Sequence, residues 1–279
     1  MSVSSRSIFT KPYDELLFEV IHIPVPLKGK ESKSLNFFKS QVSNLKSQIS
    51  SFIFEPVVQG TAGMVMYDAA VLNEMTHICH ENDILTIADE VMTGFGRTGK
   101  FFATDYIEER ADIMCMSKGI TGGTMAFGVT SCTNEIYEGF LSDDKTKTLF
   151  HGHSYTANPV ACAASLASLD LLEKEETWKN VSRINTQHIQ FQDEAKELKG
   201  VKDCRLMGTI LALEIKTKED ASYLNAIRDE LYRFFINEKI ILRPLGNIVY
   251  IMPPYCIAKE DLKSVYSVIR EAINRFGVS

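Results

Sequence analysis

Short apolar runs that stop at a polar or charged residue, each joined to a stretch of helical spacing, recur through the first part of this sequence and leave few folds open to it. Ser51-Phe-Ile-Phe-Glu-Pro56 reads as a short buried strand, Ala69 to Asn82 carries helical spacing, and Ile84-Leu-Thr-Ile-Ala-Asp89 is again strand-like. Leu16 to Ile23 reads as an earlier strand ended by Pro24 and Pro26, followed by a polar loop from Lys28 to Ser34 and a helix from about Leu35 to Ile49. Ala111-Asp-Ile-Met-Cys-Met116 adds a further apolar stretch. Such β–α alternation predicts an α/β fold with a mostly parallel sheet. Asn158-Pro159 opens a long helix reaching about Lys174, a candidate spine between two domains. Beyond it the spacing predicts a helix from Val181 to Leu198, strands between Leu206 and Ile215, a helix from Ala221 to Glu238, a strand pair around Leu242 and Val249, and a terminal helix. The expected organisation is a large domain over 1–168, incomplete at its N-terminal side, and a smaller C-terminal α+β domain over 169–279.

Composition narrows the function classes. With 279 residues and 45% hydrophobic content the chain can bury a sizeable core. A formal charge of −6 without a dense Lys/Arg stripe argues against a nucleic-acid partner. No segment reaches the roughly 18–20 uninterrupted apolar residues of a membrane helix, and the N-terminus lacks the apolar stretch of a secretory signal. Six scattered cysteines include no CxxC pair, so neither a zinc site nor a disulfide framework is indicated. A reducing cytoplasm is the expected location.

Two strand ends carry opposite charges. Asp89 ends one apolar run, and Lys118 follows another and precedes the small residues Gly119 to Thr124. An acid ending an apolar run is also an ordinary way to leave a buried strand, and most lysines are solvated surface charges. Their shared context gives the pair its meaning, because open α/β sheets bind ligands in the crevice beyond their strand ends. A lysine amine can hold an aldehyde as a Schiff base, and a carboxylate facing a pyridine nitrogen keeps that nitrogen protonated, so the pair suits pyridoxal 5'-phosphate. A neighbouring opposite charge shifts a pKa by about 1 to 3 units, which is sufficient for that task.

Other motifs carry less. Gly94-Phe-Gly-Arg-Thr-Gly99 fits neither GxGxxG nor a Walker loop, and its glycines are read as shaping the turn that leaves the Asp89 strand. Arg97 is read as bracing that loop, with a substrate contact as the alternative. His151 and His153 have no nearby carboxylate or cysteine to complete a metal-ligand set. Tyr255, beside two prolines, is read as part of a rigid turn rather than as a catalytic acid.

Glu55-Pro-Val-Val-Gln-Gly60, the Asp89 segment through Gly99, Ser117-Lys118-Gly119 and His151-Gly-His-Ser-Tyr-Thr-Ala-Asn-Pro159 occur in the order found in class III aminotransferases, which the chain resembles from its first strand onward. The resemblance implies the fold type I of pyridoxal phosphate-dependent transferases. It implies that Lys118 holds the cofactor, that Asp89 pairs with its ring nitrogen, and that Val91 presses an apolar face on the ring. Ser154 would donate to the cofactor phosphate from a neighbouring subunit in a homodimer with shared sites, with Gly152 and His153 close to substrate and phosphate. Thr121-Gly-Gly-Thr124, Leu242-Arg-Pro-Leu-Gly246 and Ile251-Met-Pro-Pro-Tyr255 resemble the branch that converts 8-amino-7-oxononanoate to 7,8-diaminononanoate in biotin biosynthesis, where Arg243 would receive the substrate carboxylate.

Two departures from the family pattern stand out. About the first third of such an enzyme has no counterpart, including a Gly-Ser phosphate loop and the aromatic residue that stacks on the ring. Met1 therefore reads as an internal methionine, and the chain alone is expected to bind cofactor weakly. Where many glutamate-using relatives carry Gln-Gly-Glu-Gly, this chain reads Gln59-Gly-Thr-Ala-Gly63, which fits S-adenosylmethionine as amino donor and leaves lysine open. Another ω-amino acid or diamine aminotransferase, and an inactive fragment, are the alternatives.

Overall fold

The computed structural model describes residues 1–6, 10–45, 48–217 and 225–278. Its main elements are α1 (Glu31–Leu45), β1 (Ser51–Phe54), β2 (Val58–Gln59), β3 (Val65–Met66), α2 (Ala69–Glu81), β4 (Leu85–Asp89), β5 (Ile113–Met116), β6 (Val129–Cys132), α3 (Asn134–Glu138) and α4 (Pro159–Leu172). They continue with α5 (Glu175–Lys196), β7 (Val201–Met207), β8 (Ile210–Ile215), α6 (Ile227–Asn237), β9 (Ile248–Ile251) and α7 (Lys259–Phe276).

The first sheet has the order β1-β4-β5-β6; β1 and β5 run parallel to β4, and β6 closes the edge antiparallel. Helix α1 lays Phe38 and Val42 against Met75 and Cys79 of α2, over Ile84 at the entrance to β4. Nearer the strands' carboxyl ends, Phe54, Leu72 and Ala88 form a second cluster with Tyr67 and Ile107. Asp68 caps α2 by accepting from the Ala70 N–H at 2.7 Å, and Asn158 caps α4 through the N–H groups of Val160 and Ala161. Pro159 occupies the first turn of α4, where its missing N–H costs nothing.

The second sheet, β7-β8-β9, is antiparallel. Its central strand Ile-Leu-Ala-Leu-Glu-Ile is buried at every position because both faces are covered. Leu211, Leu213 and Ile215 point into a core with α5, α6 and α7, whereas Ile210 and Ala212 pack with Val57, Val58, Met64 and Ala103 from the first part of the chain. A strand with alternate residues buried on opposite sides reads as a continuous apolar run, and this one does.

Several elements depart from expectation. Leu16 to Ile23 is not a strand: a 3-10 turn covers Lys11–Leu16, and the following residues run extended along the surface without a ladder partner. Phe18 is 65% exposed, so an apolar run lacked the neighbouring strand it needed. Helix α1 starts inside the tract read as a loop, and α5 starts six residues before the expected Val181. Leu242 is not in a strand; that segment contributes only a bridge between Leu245 and Ile248. The predicted start of α6, residues 221 to 224, lies outside the described residues.

The β7–β8 hairpin locks against the Gly94–Gly99 loop. Thr209 donates both its N–H and its hydroxyl to Arg97 O, at 2.9 and 3.0 Å. Gly208, at φ +58°, sits so close that a Cβ there would lie 2.2 Å from Thr98 C and 2.4 Å from Gly99 N. Substituting Gly208→Ala must part the hairpin from the loop, and chemical denaturation should register a loss of at least about 1–3 kcal/mol.

Behind the hairpin, His188 is fully buried. A carbonyl only accepts, so Nε2 carries a proton toward Thr209 O at 3.2 Å, and Nδ1 accepts from the Tyr266 hydroxyl at 2.7 Å. Burial pushes its pKa down from 6.5 to about 4. The imidazole is neutral in the folded chain, so its stabilising effect is complete above pH 6.5 and is lost as pH falls from there toward 4, where the unfolded chain binds a proton the folded chain refuses. That loss is on the order of 3 kcal/mol. Melting temperatures between pH 7.5 and 4.5 should therefore fall less steeply in His188→Gln than in the parent chain.

Candidate functional site

Parallel pairing brings three polar residues to one edge. In register, Phe54 lies opposite Ala88 and Asp89 opposite Cys115, so Glu55, Asp89 and Lys118 leave the carboxyl ends of three adjacent strands. This is the crevice position at which open α/β sheets bind ligands. Asp89 is half-buried; its Oδ1 accepts the Val91 N–H at 3.1 Å, and its Oδ2 accepts from no described group. Lys118 is exposed and makes no hydrogen bond or ion pair with a described residue. An aldehyde-bearing cofactor with a basic ring nitrogen needs a free amine and an open carboxylate oxygen, and both are present.

Glu55 ends an apolar run just as Asp89 does, and opens the Glu55–Gly60 motif. Its Oε2 accepts the Gly60 N–H at 2.9 Å. Burial is the main influence raising its pKa; the Gly60 N–H pulls the other way, negative Asp89 adds to the rise and positive Lys118 opposes it. Glu55 thus senses both of its charged neighbours. Glu90, to which the sequence assigned no role, is fully buried. Its carboxylate accepts from the Thr93 hydroxyl at 2.5 Å and from the Thr104 N–H at 2.7 Å, and its own N–H donates to Cys115 O at 2.9 Å. It fastens the turn that follows Asp89. An acid directly after a candidate acid offers no sequence signal that separates ligand from brace.

Strain concentrates at these strand ends. Val57, Phe95 and Lys118 have φ of +54°, +62° and +45°. Left-handed backbone at a non-glycine residue costs about 1–3 kcal/mol and persists only where surrounding contacts enforce it. Lys118 opens a 3-10 turn, Lys118–Thr121, that Gly122 ends at φ +59°. The turn rests on α4, whose Ser168 hydroxyl donates to Gly119 O at 3.3 Å. Ser117 anchors its start by donating to Phe127 O at 2.6 Å.

Val91 is half-buried beside Asp89. Gly152, His153 and Ser154 are exposed in the segment before α4 and touch neither Asp89 nor Lys118 by any described contact. The His153 ring is engaged locally: Nδ1 accepts the Tyr155 N–H at 3.1 Å. Arg243 is exposed and lines a groove with Arg228, Asp229, Tyr232 and Pro244. Arg97 braces its loop: its guanidinium donates to Pro253 O at 2.6 Å and lies 4.8 Å from the centre of the Tyr255 ring. The six cysteines are free thiols, and no described helix is long and apolar enough to cross a membrane.

The chain is similar to several known proteins. The adenosylmethionine-8-amino-7-oxononanoate aminotransferase of Synechococcus elongatus is 36% identical over 282 residues, covering 98% of this chain and 65% of the relative. The chain therefore spans a little under two thirds of the length of the curated relatives it matches. The crystal structure of the enzyme of that name from Methanocaldococcus jannaschii superposes with a TM-score of 0.89 at 32% identity, over 97% of this chain and 63% of that one. An amine transaminase from an uncultivated Pseudomonas species, solved in its PLP-bound internal aldimine form, superposes with a TM-score of 0.81 at 27% identity, over 90% and 58%. The model of the family described as "Aminotransferase class-III" matches residues 1–273. With Glu55, Asp89 and Lys118 at adjacent strand ends and that match running through nearly all of its length, the chain belongs to the class-III aminotransferases.

Proposed function

We propose that this chain forms the greater part of a pyridoxal phosphate-dependent aminotransferase that converts 8-amino-7-oxononanoate to 7,8-diaminononanoate with S-adenosylmethionine as amino donor. The observation that carries the reading is the open Asp89 carboxylate and the unengaged Lys118 amine at neighbouring ends of a parallel sheet. The names of relatives at 30–36% identity support the choice of substrates.

Bound there, pyridoxal phosphate would supply an electron sink for the carbanion left when the donor Cα loses its proton. Asp89 Oδ2 would hold the ring nitrogen and keep it protonated. Lys118 Nζ would hold the cofactor's aldehyde end and serve as the base toward the donor Cα, a role worth on the order of a hundred- to ten-thousandfold in rate. Val91 would cover one face of the ring. Arg243 offers two parallel N–H groups to the carboxylate of the keto substrate.

A homodimer with shared sites accounts for the outlying segment. Ser154 is exposed, and Leu149, Phe150 and Tyr155 around it are 61%, 82% and 75% exposed, an apolar surface that a second copy would cover while Ser154, Gly152 and His153 meet its phosphate and substrate. Free thiols at all six cysteines support a cytoplasmic setting. In the Gln59-Gly-Thr-Ala-Gly63 turn, the absence of an acidic residue supports S-adenosylmethionine over glutamate.

Titrating the purified chain with pyridoxal phosphate should produce a visible absorbance band that is missing in Lys118→Ala and bleaches on adding S-adenosylmethionine; a band of equal strength in Lys118→Ala would overturn the assignment of the lysine. Arg243→Ala should raise KM for 8-amino-7-oxononanoate roughly ten- to hundredfold, as expected for loss of a charge-assisted pair. Bleaching by the donor should survive that change, and an equal loss in both half-reactions would count against Arg243 as the carboxylate site.

A further inference from the structure

Phe95 and Gly119 lie in direct contact. A Cβ built on Gly119 would come within 3.0 Å of both Cβ and Cδ2 of Phe95, so the ring forms the floor beneath the residue that follows Lys118. Phe95 is held from the other side. The Tyr255 hydroxyl donates to Phe95 O at 2.7 Å across 160 residues of sequence, and the same phenol lies 3.1 Å from the position a Cβ would take on Gly96. Burial pushes the Tyr255 phenol up to about 12, so it remains a donor throughout the neutral range. Phe101 and Phe102 flank the Phe95 ring at 6.3 and 5.4 Å, leaving it little room to turn aside. Phe95 and Lys118 are both left-handed, and a chain of contacts runs between them: phenol to carbonyl, ring to glycine, glycine to lysine.

We propose that Tyr255 is a positioning residue for Lys118. By fixing the Phe95 carbonyl it holds the ring under Gly119, and the ring in turn holds the Lys118–Thr121 turn in the conformation that aims the amine into the crevice. The inference rests on the reading of Lys118 as the cofactor-binding amine. It gives the C-terminal part of the chain a mechanical hold on the reacting group without contact with it.

The test compares Tyr255→Phe with Tyr106→Phe. Each removes one hydroxyl from the same loop, since Tyr106 donates to Thr98 O at 2.7 Å, but Tyr106 does not hold Phe95. Hydrogen exchange at the Ile120 and Gly122 amides, which close the Lys118 turn onto Ser117 O and Gly119 O, reports on that turn with no cofactor present. Tyr255→Phe should speed exchange there about fivefold, the scale of one lost hydrogen bond, while Tyr106→Phe leaves it unchanged. Phe95→Ala should do the same, and the double variant should add nothing further. In parallel, borohydride-trapped labelling by pyridoxal phosphate, mapped by mass spectrometry, should fall at Lys118 and not at Lys100 in Tyr255→Phe. Unchanged exchange in Tyr255→Phe, or equal changes in both tyrosine variants, overturns the proposal. Failure of the parent chain to label at Lys118 counts instead against the cofactor assignment, and the exchange comparison still decides the coupling.

Discussion

The ladder that aligns β1, β4 and β5 is the constraint on which the rest depends. Parallel pairing requires each strand to be re-entered from the same end, so the chain must return through α2 and the turns after β4 before each new strand begins. The consequence is chemical as well as architectural: every parallel strand ends on the same edge, and whatever residue follows it is delivered to one crevice. Glu55, Asp89 and Lys118 are far apart in sequence and adjacent there because the backbone hydrogen bonds leave no other register. A one-residue slip in β4 would turn Asp89 to the opposite face and end the arrangement.

Holding that edge in place falls to the second sheet. Strand β8 is buried on both faces, one against α5, α6 and α7 and the other against the Val57–Met64 region, so the two parts of the molecule share apolar surface. Hydrogen bonds sharpen the contact. Thr209 holds Arg97 O, Arg97 holds Pro253 O, Tyr255 holds Phe95 O and the Arg205 guanidinium donates to Gly63 O at 3.1 Å. The first three meet the loop that follows β4, and the last meets the β2–β3 turn in the connection between β1 and α2. The left-handed residues Val57 and Phe95 lie in those loops, where enforced backbone geometry needs many independent contacts.

Much of the site was legible because its signals are local. Asp89 and Lys118 each close an apolar run, and the small residues after Lys118 mark a tight turn. No strand forms before Pro24, because periodicity reports apolar content while a strand also requires a neighbour; Phe18 and Ile21 have none and stay exposed. Glu55 carries the same local signal as Asp89, but only the pairing of β1 with β4 makes it a neighbour of the charges beyond. The roles of Tyr255 and Arg97 were read as structural, and the contacts that give that reading content join residues about 160 positions apart.

By itself the sequence determined the α/β class, the helices α2 and α4, the buried run of β8, the family and the two residues most suited to a pyridoxal phosphate site. These follow from period, capping and residue chemistry, which act over a few positions. Tertiary structure alone decided that Glu55 joins Asp89 and Lys118 at adjacent strand ends, and that Phe95 packs against Gly119 beside the Lys118 turn. Those outcomes depend on which strands pair and which loops meet across the two sheets. Pairing is selected by the burial of whole faces against one another, a quantity that no local stretch of residues contains.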